Sequence, residues 1–296
     1  MRALVISGGG GKGAYAGGIV EYLIHERKIK YDAFLGTSSG SLLLPMIALN
    51  KISDLKNIFC NVSQDDIFDV SPFKLKRSPI GQLLTGISHL NIIRQFINRK
   101  KTFGESNNLR KLISKNFTKD LYQFLVDKNI NIVVTVSNLT TNELEYKSIL
   151  ENSYEDFIDW IWISCNFVPF MTLVKKNHHE YADGGFGKFA PISKAIALGA
   201  THIDAIILET SSQQVNYMPS TNAFNLMIRS FDFVMNQLYI SDLEKNKLEA
   251  TLKGITINYY HVPRVLTNMA LVFESNKLNN WWIEGFNYAE KQFNNH

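Results

Sequence analysis

The sequence predicts an α/β fold: a mainly parallel central sheet, helices on both of its faces and a helical cap insertion. Three observations carry this expectation. The first 50 residues alternate strand and helix patterns. "ALVIS" (3–7) is a partly β-branched apolar run bounded by glycine, "AYAGGIVEYLIHERK" has helical spacing, "AFL" (33–35) is a second apolar run, and an apolar helix starts near Ser39. A β–turn–α–β–turn–α order gives parallel strands with helices packed on the sheet. The same alternation returns in "APISKAIALGA", a helix with glycine near its end, followed by the strand "HIDAIILET". Finally, 296 residues with 45% hydrophobic and 20% charged side chains can fill a core of ordinary size.

The remaining elements follow in order. Residues 51–120 hold several short amphipathic helical patterns, "PIGQLLTGISHLNIIRQFI" and "LRKLISKNF" among them, and few strand signals; they read as an inserted cap or lid. "NINIVVTVSNLTTNELEYKSI" (129–149) is two strand runs around a turn at Thr140–Asn142. "YEDFIDWIWISCNF" is an apolar helix, and "TLVKK" and "HEYADGG" are short strands or loop edges. Residues 220–253 are largely helical, "GITINYYHV" is a strand, and 275–293 form a last amphipathic helix. The expected organisation is a core over 1–215 with the cap at 51–120, and a C-terminal helical region, 216–296, packing on the same domain.

Net charge is +4, but it is unevenly placed. Between Val70 and Lys119 eleven lysines and arginines face a single acid, Glu105. Such asymmetry speaks of an anionic partner. "FKLKR" and "FINRKK" interleave apolar residues with cations, the composition of an interfacial surface, so the 74–119 segment is expected to touch anionic lipid headgroups transiently. No nucleic-acid-reading module accompanies it, and nucleic acid is not an expected partner. Cys60 and Cys165, far apart, read as free thiols. The N-terminal apolar run is too short for a Sec signal, and no run approaches the roughly 18 apolar residues of a spanning helix. The expected location is the cytoplasm or a membrane periphery, with export by another route left open.

The candidate chemistry lies in three turns. "GGGGKG" (8–13) joins the first strand to the first helix, a place that binds either a phosphate or a developing oxyanion. Gly8, Gly10 and Gly13 satisfy the dinucleotide spacing, and Asp32 lies 19 residues beyond Gly13. A ribose-binding acid, however, belongs at the end of the second strand, and Asp32 is at its start. A Walker loop is excluded, because Gly13 follows Lys12 where Ser or Thr is required and Ile6 stands where its first glycine should be. What occupies the end of the second strand is "GTSSG" (36–40). Gly36 and Gly40 allow a sharp strand-to-helix turn that exposes the hydroxyl of Ser38, and the following helix points its N–H groups at the same place. The third turn is "YADGG" (181–185), in which Gly184 and Gly185 let Asp183 present its carboxylate; a carboxylate can take a serine proton directly.

"GGGGKG", "GTSSG" and "DGG", in this order and at these separations, resemble the three signatures of the patatin-like phospholipase family. "SNLTTNELEYKS" resembles its central strand pair, and "SCNFVPFMTLV" its active-site loop. The resemblance is close over 1–50 and 130–210 and weak elsewhere. It implies a three-layer sandwich, hydrolysis of acyl esters of phospholipids or related lipids through a Ser–Asp dyad and an acyl-enzyme, and neither metal nor cofactor. Carried onto this sequence, Ser38 is the nucleophile, Asp183 the proton acceptor, and Gly9, Gly10 and Gly11 the oxyanion donors. Lys12 stands where the family often has arginine.

Other residues admit other uses. Lys12, Phe167 and Phe170 are candidate lipid contacts, and Trp160 and Trp162 are either core or acyl-pocket residues. A Ser…Asp…His triad would need a histidine after Asp183; His202 and His261, at strand ends, read as structural, and His178 and His179 as exposed. Asp65, Asp66 and Asp69 lack calcium-loop spacing. Two further readings stay open: a Rossmann-type oxidoreductase built on the glycine turn, and a catalytically silent lipid-binding protein of the same fold.

Overall fold

The computed structural model describes residues 1–77, 83–211, 220, 223–267 and 269–294. The strands in chain order are β1 (Arg2–Ile6), β2 (Ala33–Thr37), β3 (Phe73–Arg77), β4 (Leu83–Ile87), β5 (Asn131–Asn138), β6 (Glu143–Ser148), β7 (Val174–Lys176), β8 (His179–Asp183), β9 (His202–Thr210) and β10 (Thr256–Val262). The helices are α1 (Gly13–Glu21), α2 (Ser39–Ala48), α3 (Ile52–Asn61), α4 (Gln64–Ile67), α5 (His89–Ile97), α6 (Asn107–Asn116), α7 (Lys119–Asp127), α8 (Tyr154–Ser164), α9 (Ile192–Ala197), α10 (Ala223–Lys253) and α11 (Ser275–Asn294).

Strands β1, β2, β5 and β9, which read as largely apolar runs, are buried on both faces, as a parallel sheet requires. With the partly exposed edge strand β10 they form the order β10–β9–β1–β2–β5, all parallel. Successive side chains on one strand point to opposite faces. Leu4 and Ile6 of β1 accordingly join one hydrophobic cluster, and Ala3 and Val5 the other. The first cluster is covered by α1, α2, α3, α6, α7, α8 and α11, the second by α9 and α10. The result is the three-layer arrangement, mostly parallel, with antiparallel β6, β8 and β7 completing the far side of the sheet.

The 51–120 segment differs from its expected form. Ile52, Leu55 and Phe59 of α3 and Leu109 and Ile113 of α6 lie in the same buried cluster as β1 and β2. Residues 83–88 of "PIGQLLTGISHLNIIRQFI" are also not helical: β3 and β4 pair antiparallel, Phe73 opposite Ile87, and the helix begins only at His89. Residues 78–82 of that expectation lie outside the described ones. The alternation Phe73-Lys74-Leu75-Lys76 carries the period-2 signal of a strand. On α5 the usual polarity is reversed. Gln95 is buried, whereas Leu90 and Ile97 are 79% and 75% exposed, with Ile93 and Phe96 also outside.

The C-terminal elements are built into the core. β10 extends the sheet beside β9, and α11 lies along α1 at a distance only glycine allows. A Cβ on Gly18 would stand 1.9 Å from the Trp282 carbonyl oxygen, and one on Gly285 2.1 Å from that of Tyr15. Both cysteines are free and buried. Among the described residues no helix is long and apolar enough to cross a membrane.

Candidate active site

Parallel packing of β1 beside β2 brings their C-terminal turns together at one edge of the sheet. In the glycine turn, the Gly8 N–H donates to the Phe189 carbonyl (3.2 Å) and the Gly11 N–H to the Ala270 carbonyl (2.8 Å). Gly10 has φ +55°, and a Cβ there would lie 2.2 Å from the Ala270 oxygen, so no other residue fits. The Gly9 and Gly10 N–H groups have no backbone acceptor among the described residues. Of the three expected oxyanion donors, Gly11 is therefore the one whose N–H is already held by protein.

At the end of β2, Ser38 takes φ 53° and ψ −127° before α2 begins. A non-glycine residue in that region is strained by roughly 1–3 kcal/mol and must be held by its surroundings. Its N–H donates to Ser164 Oγ (2.9 Å), and its carbonyl accepts from the Leu42 N–H (3.3 Å) and from Cys165 Sγ (3.2 Å). Ser164 is in turn 2.9 Å from Ser41 Oγ. Gly40 is required because a Cβ there would be 2.3 Å from the Ile6 carbonyl oxygen. The glycine turn stands beside this serine: a Cβ on Gly8 would be 3.2 Å from Ser38 Cβ and 3.9 Å from its Oγ.

The register of β5 delivers Asp183. One edge of β5 is taken by β2 only as far as Thr37, opposite Thr135. The next position, Val136, pairs with Asp183 of antiparallel β8, while β6 covers the other edge from Val133 to Asn138. β8 therefore meets the end of β2 head-on, and its last residue faces the Ser38 turn. The Asp183 carboxyl is 3% exposed, accepts from the Gly185 N–H at 2.7 Å and faces the Ser38 hydroxyl across a cavity that both line. Burial pushes its pKa up to about 7 against the opposing effect of the Ser38 hydroxyl and the Gly185 N–H. Its own N–H is held by the Asn166 carbonyl (2.9 Å). Burial, with Asp183 nearby, raises the Cys165 thiol well above its ordinary range.

Two cavities meet at Ser38. One is apolar, about 880 Å³ including its mouth, and runs from Ser38 between α2, α3, α6 and α8 past Leu42, Met46, Phe59 and Ile113. The other, about 920 Å³, holds Gly8, Gly9, Gly10 and Asp183 together with Lys12, Glu209 and Asp232. Gly10 and Leu271 border both. Lys12 is 7% exposed, and its Nζ forms an ion pair with Glu209.

The family model for patatin-like phospholipases matches residues 4–196, from β1 through α9. The chain belongs to the patatin-like phospholipase family. At family level this makes it a lipid acyl hydrolase. None of the curated proteins matches the sequence significantly. Among solved structures, the patatin-like chain is similar to the crystal structure of VipD from Legionella pneumophila, with a TM-score of 0.51 and 14% identity, covering 100% of this chain and 67% of that one. At such identity the likeness concerns the fold.

In this patatin-like chain the remaining candidates fall as follows. Phe167 and Phe170 line the second cavity, whereas Trp160 and Trp162 are core residues. None of His178, His179, His202 and His261 lines either cavity. His179 Nδ1 is 2.8 Å from Asn138, and His261 Nδ1 lies by Tyr239 and the Glu209 carbonyl. Asp32 accepts from the Arg2 N–H at the entrance of β1, a strand's length, about 16 Å, from the glycine turn. It is not placed to bind a ribose there. Asp66 closes a capping box with Ser63, and Asp69 accepts from Asn107. Sequence reasoning missed Ser164, Asn166 and Ala270, which hold the three turns from other elements. Only "SCNF" and its place just before a DGG strand hinted at the first two.

Proposed function

We propose that the chain hydrolyses acyl esters of phospholipids or related lipids, with Ser38 as nucleophile and Asp183 as its base. The observation that carries this reading is the meeting of Ser38, held at a positive φ, with the buried Asp183 carboxyl where an apolar and a polar cavity join. Asp183 takes the Ser38 proton as Oγ attacks the ester carbonyl carbon. The tetrahedral oxyanion lies against the Gly9 and Gly10 N–H groups, each such donor contributing about 3 kcal/mol to barrier lowering. The acyl chain occupies the apolar cavity. The alcohol leaves through the other, taking the proton back from Asp183. Water, deprotonated by the same carboxylate, then releases the fatty acid from Ser38. Fluorophosphonate should label wild type at Ser38 and leave Ser38→Ala unlabelled; equal labelling of both removes the nucleophile. Full lipid hydrolysis by Asp183→Asn removes the base.

The basic segment is proposed to bring the enzyme transiently to an anionic membrane. Its support is α5, whose apolar side faces outward beside Arg94, with Arg99 following the helix. Binding to vesicles rich in phosphatidylglycerol should fall steeply with salt and drop when Leu90 and Ile97 are both made Ser; unaltered co-sedimentation of that variant refutes the contact.

A further inference from the structure

The second cavity has a charge pattern that the hydrolysis itself does not need. Besides Asp183, its charged residues among the described ones are one cation, Lys12 at the start of α1, and two acids, Glu209 at the end of β9 and Asp232 on α10. The three interact. Lys12 Nζ is ion-paired to Glu209, and the field of Glu209 raises the Asp232 pKa beyond what burial does while Lys12 lowers it. When all three are ionised they carry one net negative charge. The other walls are aromatic: Phe73, Phe167, Phe170 and Phe189. The Phe167 ring stacks on Phe186 at 4.9 Å and lies parallel to Phe170 at 6.1 Å.

A cavity with a buried ammonium at one point, acids nearby and ring faces around them is complementary to a group that carries both signs. Lys12 keeps donor capacity beyond its bond to Glu209, enough for one phosphodiester oxygen. Acids beside aromatic faces are the usual surroundings of a bound ammonium or quaternary ammonium. An anionic headgroup would bring a second negative charge into a cavity that is already net negative, at a cost in both repulsion and desolvation.

Building on the acyl-hydrolase reading, we infer that this cavity is a headgroup site selecting zwitterionic phospholipids, with Lys12 receiving the phosphate and Asp232, Glu209 and the phenylalanine rings receiving the ammonium. Ser38 then cuts an ester whose acyl chain lies in the apolar cavity while the headgroup lies here.

The test compares phosphatidylcholine with phosphatidylglycerol of identical acyl chains, each in the same neutral-detergent micelles. Wild type should favour the choline lipid at least tenfold in kcat/KM. Asp232→Asn should cut that preference about tenfold, and Asp232→Lys should invert it. Asp232 lines the cavity from α10 but also reaches solvent, so both variants should fold, and either alone decides. Equal or faster turnover of the glycerol lipid by wild type, or a preference indifferent to both variants, overturns the inference while leaving hydrolysis intact. A second arm needs no turnover. Titration of Ser38→Ala protein with soluble glycerophosphocholine should give a binding isotherm that Asp232→Lys weakens at least tenfold and that glycerophosphoglycerol does not produce. That isotherm without any lipid turnover would overturn the acyl-hydrolase reading and retain the site, with the free headgroup compound as its occupant. No isotherm, or one unaffected by Asp232→Lys, overturns the site.

Discussion

Replacing Asp183 by Asn should make the protein more stable while making it inactive. Asp183 has an ordinary carboxyl pKa of 3.8 when unfolded and about 7 in the folded protein, because its carboxylate must be buried. Below about pH 4 the group is protonated in both states and costs nothing. Between pH 4 and 7 the folded state binds the extra proton, so stability falls as pH rises, and above pH 7 the whole difference is lost. A gap of about three pK units at about 1.4 kcal/mol each is about 4 kcal/mol. Asparagine keeps an acceptor for the Gly185 N–H and never ionises, so it escapes this cost. For a chain of this length, with about 2 cal/mol/K per residue of unfolding entropy, 4 kcal/mol corresponds to a Tm rise of about 6 °C. Calorimetric scans of both proteins from pH 4.5 to 8.5 should show a Tm difference that is small at the acid end, grows to pH 7 and then levels. In parallel, kcat/KM of wild type on a soluble ester should climb with pH and level above about 7, and Asp183→Asn should lose 10²- to 10⁴-fold. A Tm difference that stays flat with pH would refute the burial argument, and an active Asp183→Asn would refute the base.

Three further outcomes are expected. Ser38→Gly should be about 1 kcal/mol more stable than Ser38→Ala in urea titration, since glycine alone relaxes the positive φ; equal stabilities would show that the turn stores no strain. The apolar cavity follows α2 from Ser38 to Met46, about 12 Å of helix, which an extended chain covers in about ten bonds. Met46→Trp should therefore depress kcat/KM for long-chain nitrophenyl esters about tenfold relative to butyrate, and a uniform change across the series would place the acyl chain elsewhere. Gly285→Val should cost about 3 kcal/mol through overpacking against Tyr15 and lower fluorophosphonate labelling of Ser38 as well; a stable, fully labelled variant would mean that α11 does not support the turn.

Much of this architecture is legible in the chain because its turns need glycine. Gly10, Gly40 and Gly184 each stand where a side chain would strike a carbonyl oxygen, so three tight approaches leave visible marks around Ser38 and Asp183. Strands β1 and β9 are equally plain, since burial on both faces favours apolar runs, broken in β9 only by the buried Asp204. What the chain hides is set by partners far away in sequence. Nothing local announces that β8 will continue the edge that β2 leaves on β5, although that register alone brings Asp183 to Ser38. Ser164 and Ala270 look like ordinary helix and loop residues until the turns they hold are beside them. α5 misleads in the opposite sense, because an amphipathic pattern tells which residues share a face and not which way that face points.

The pairing of α11 with α1 has a consequence for the order in which the protein is made. The glycine turn is encoded in residues 8–13, yet its Gly11 N–H waits for Ala270 and the helix behind it waits for Gly285. At about 10 residues per second, a ribosome needs roughly 25 s to add those partners. Through that interval Ser38 already exists on the nascent chain but its surroundings do not. Until Ala270 and Gly285 are made, the Gly11 N–H has no carbonyl to meet and α1 has no helix behind it, so the glycine turn reaches its folded form long after its own residues are joined.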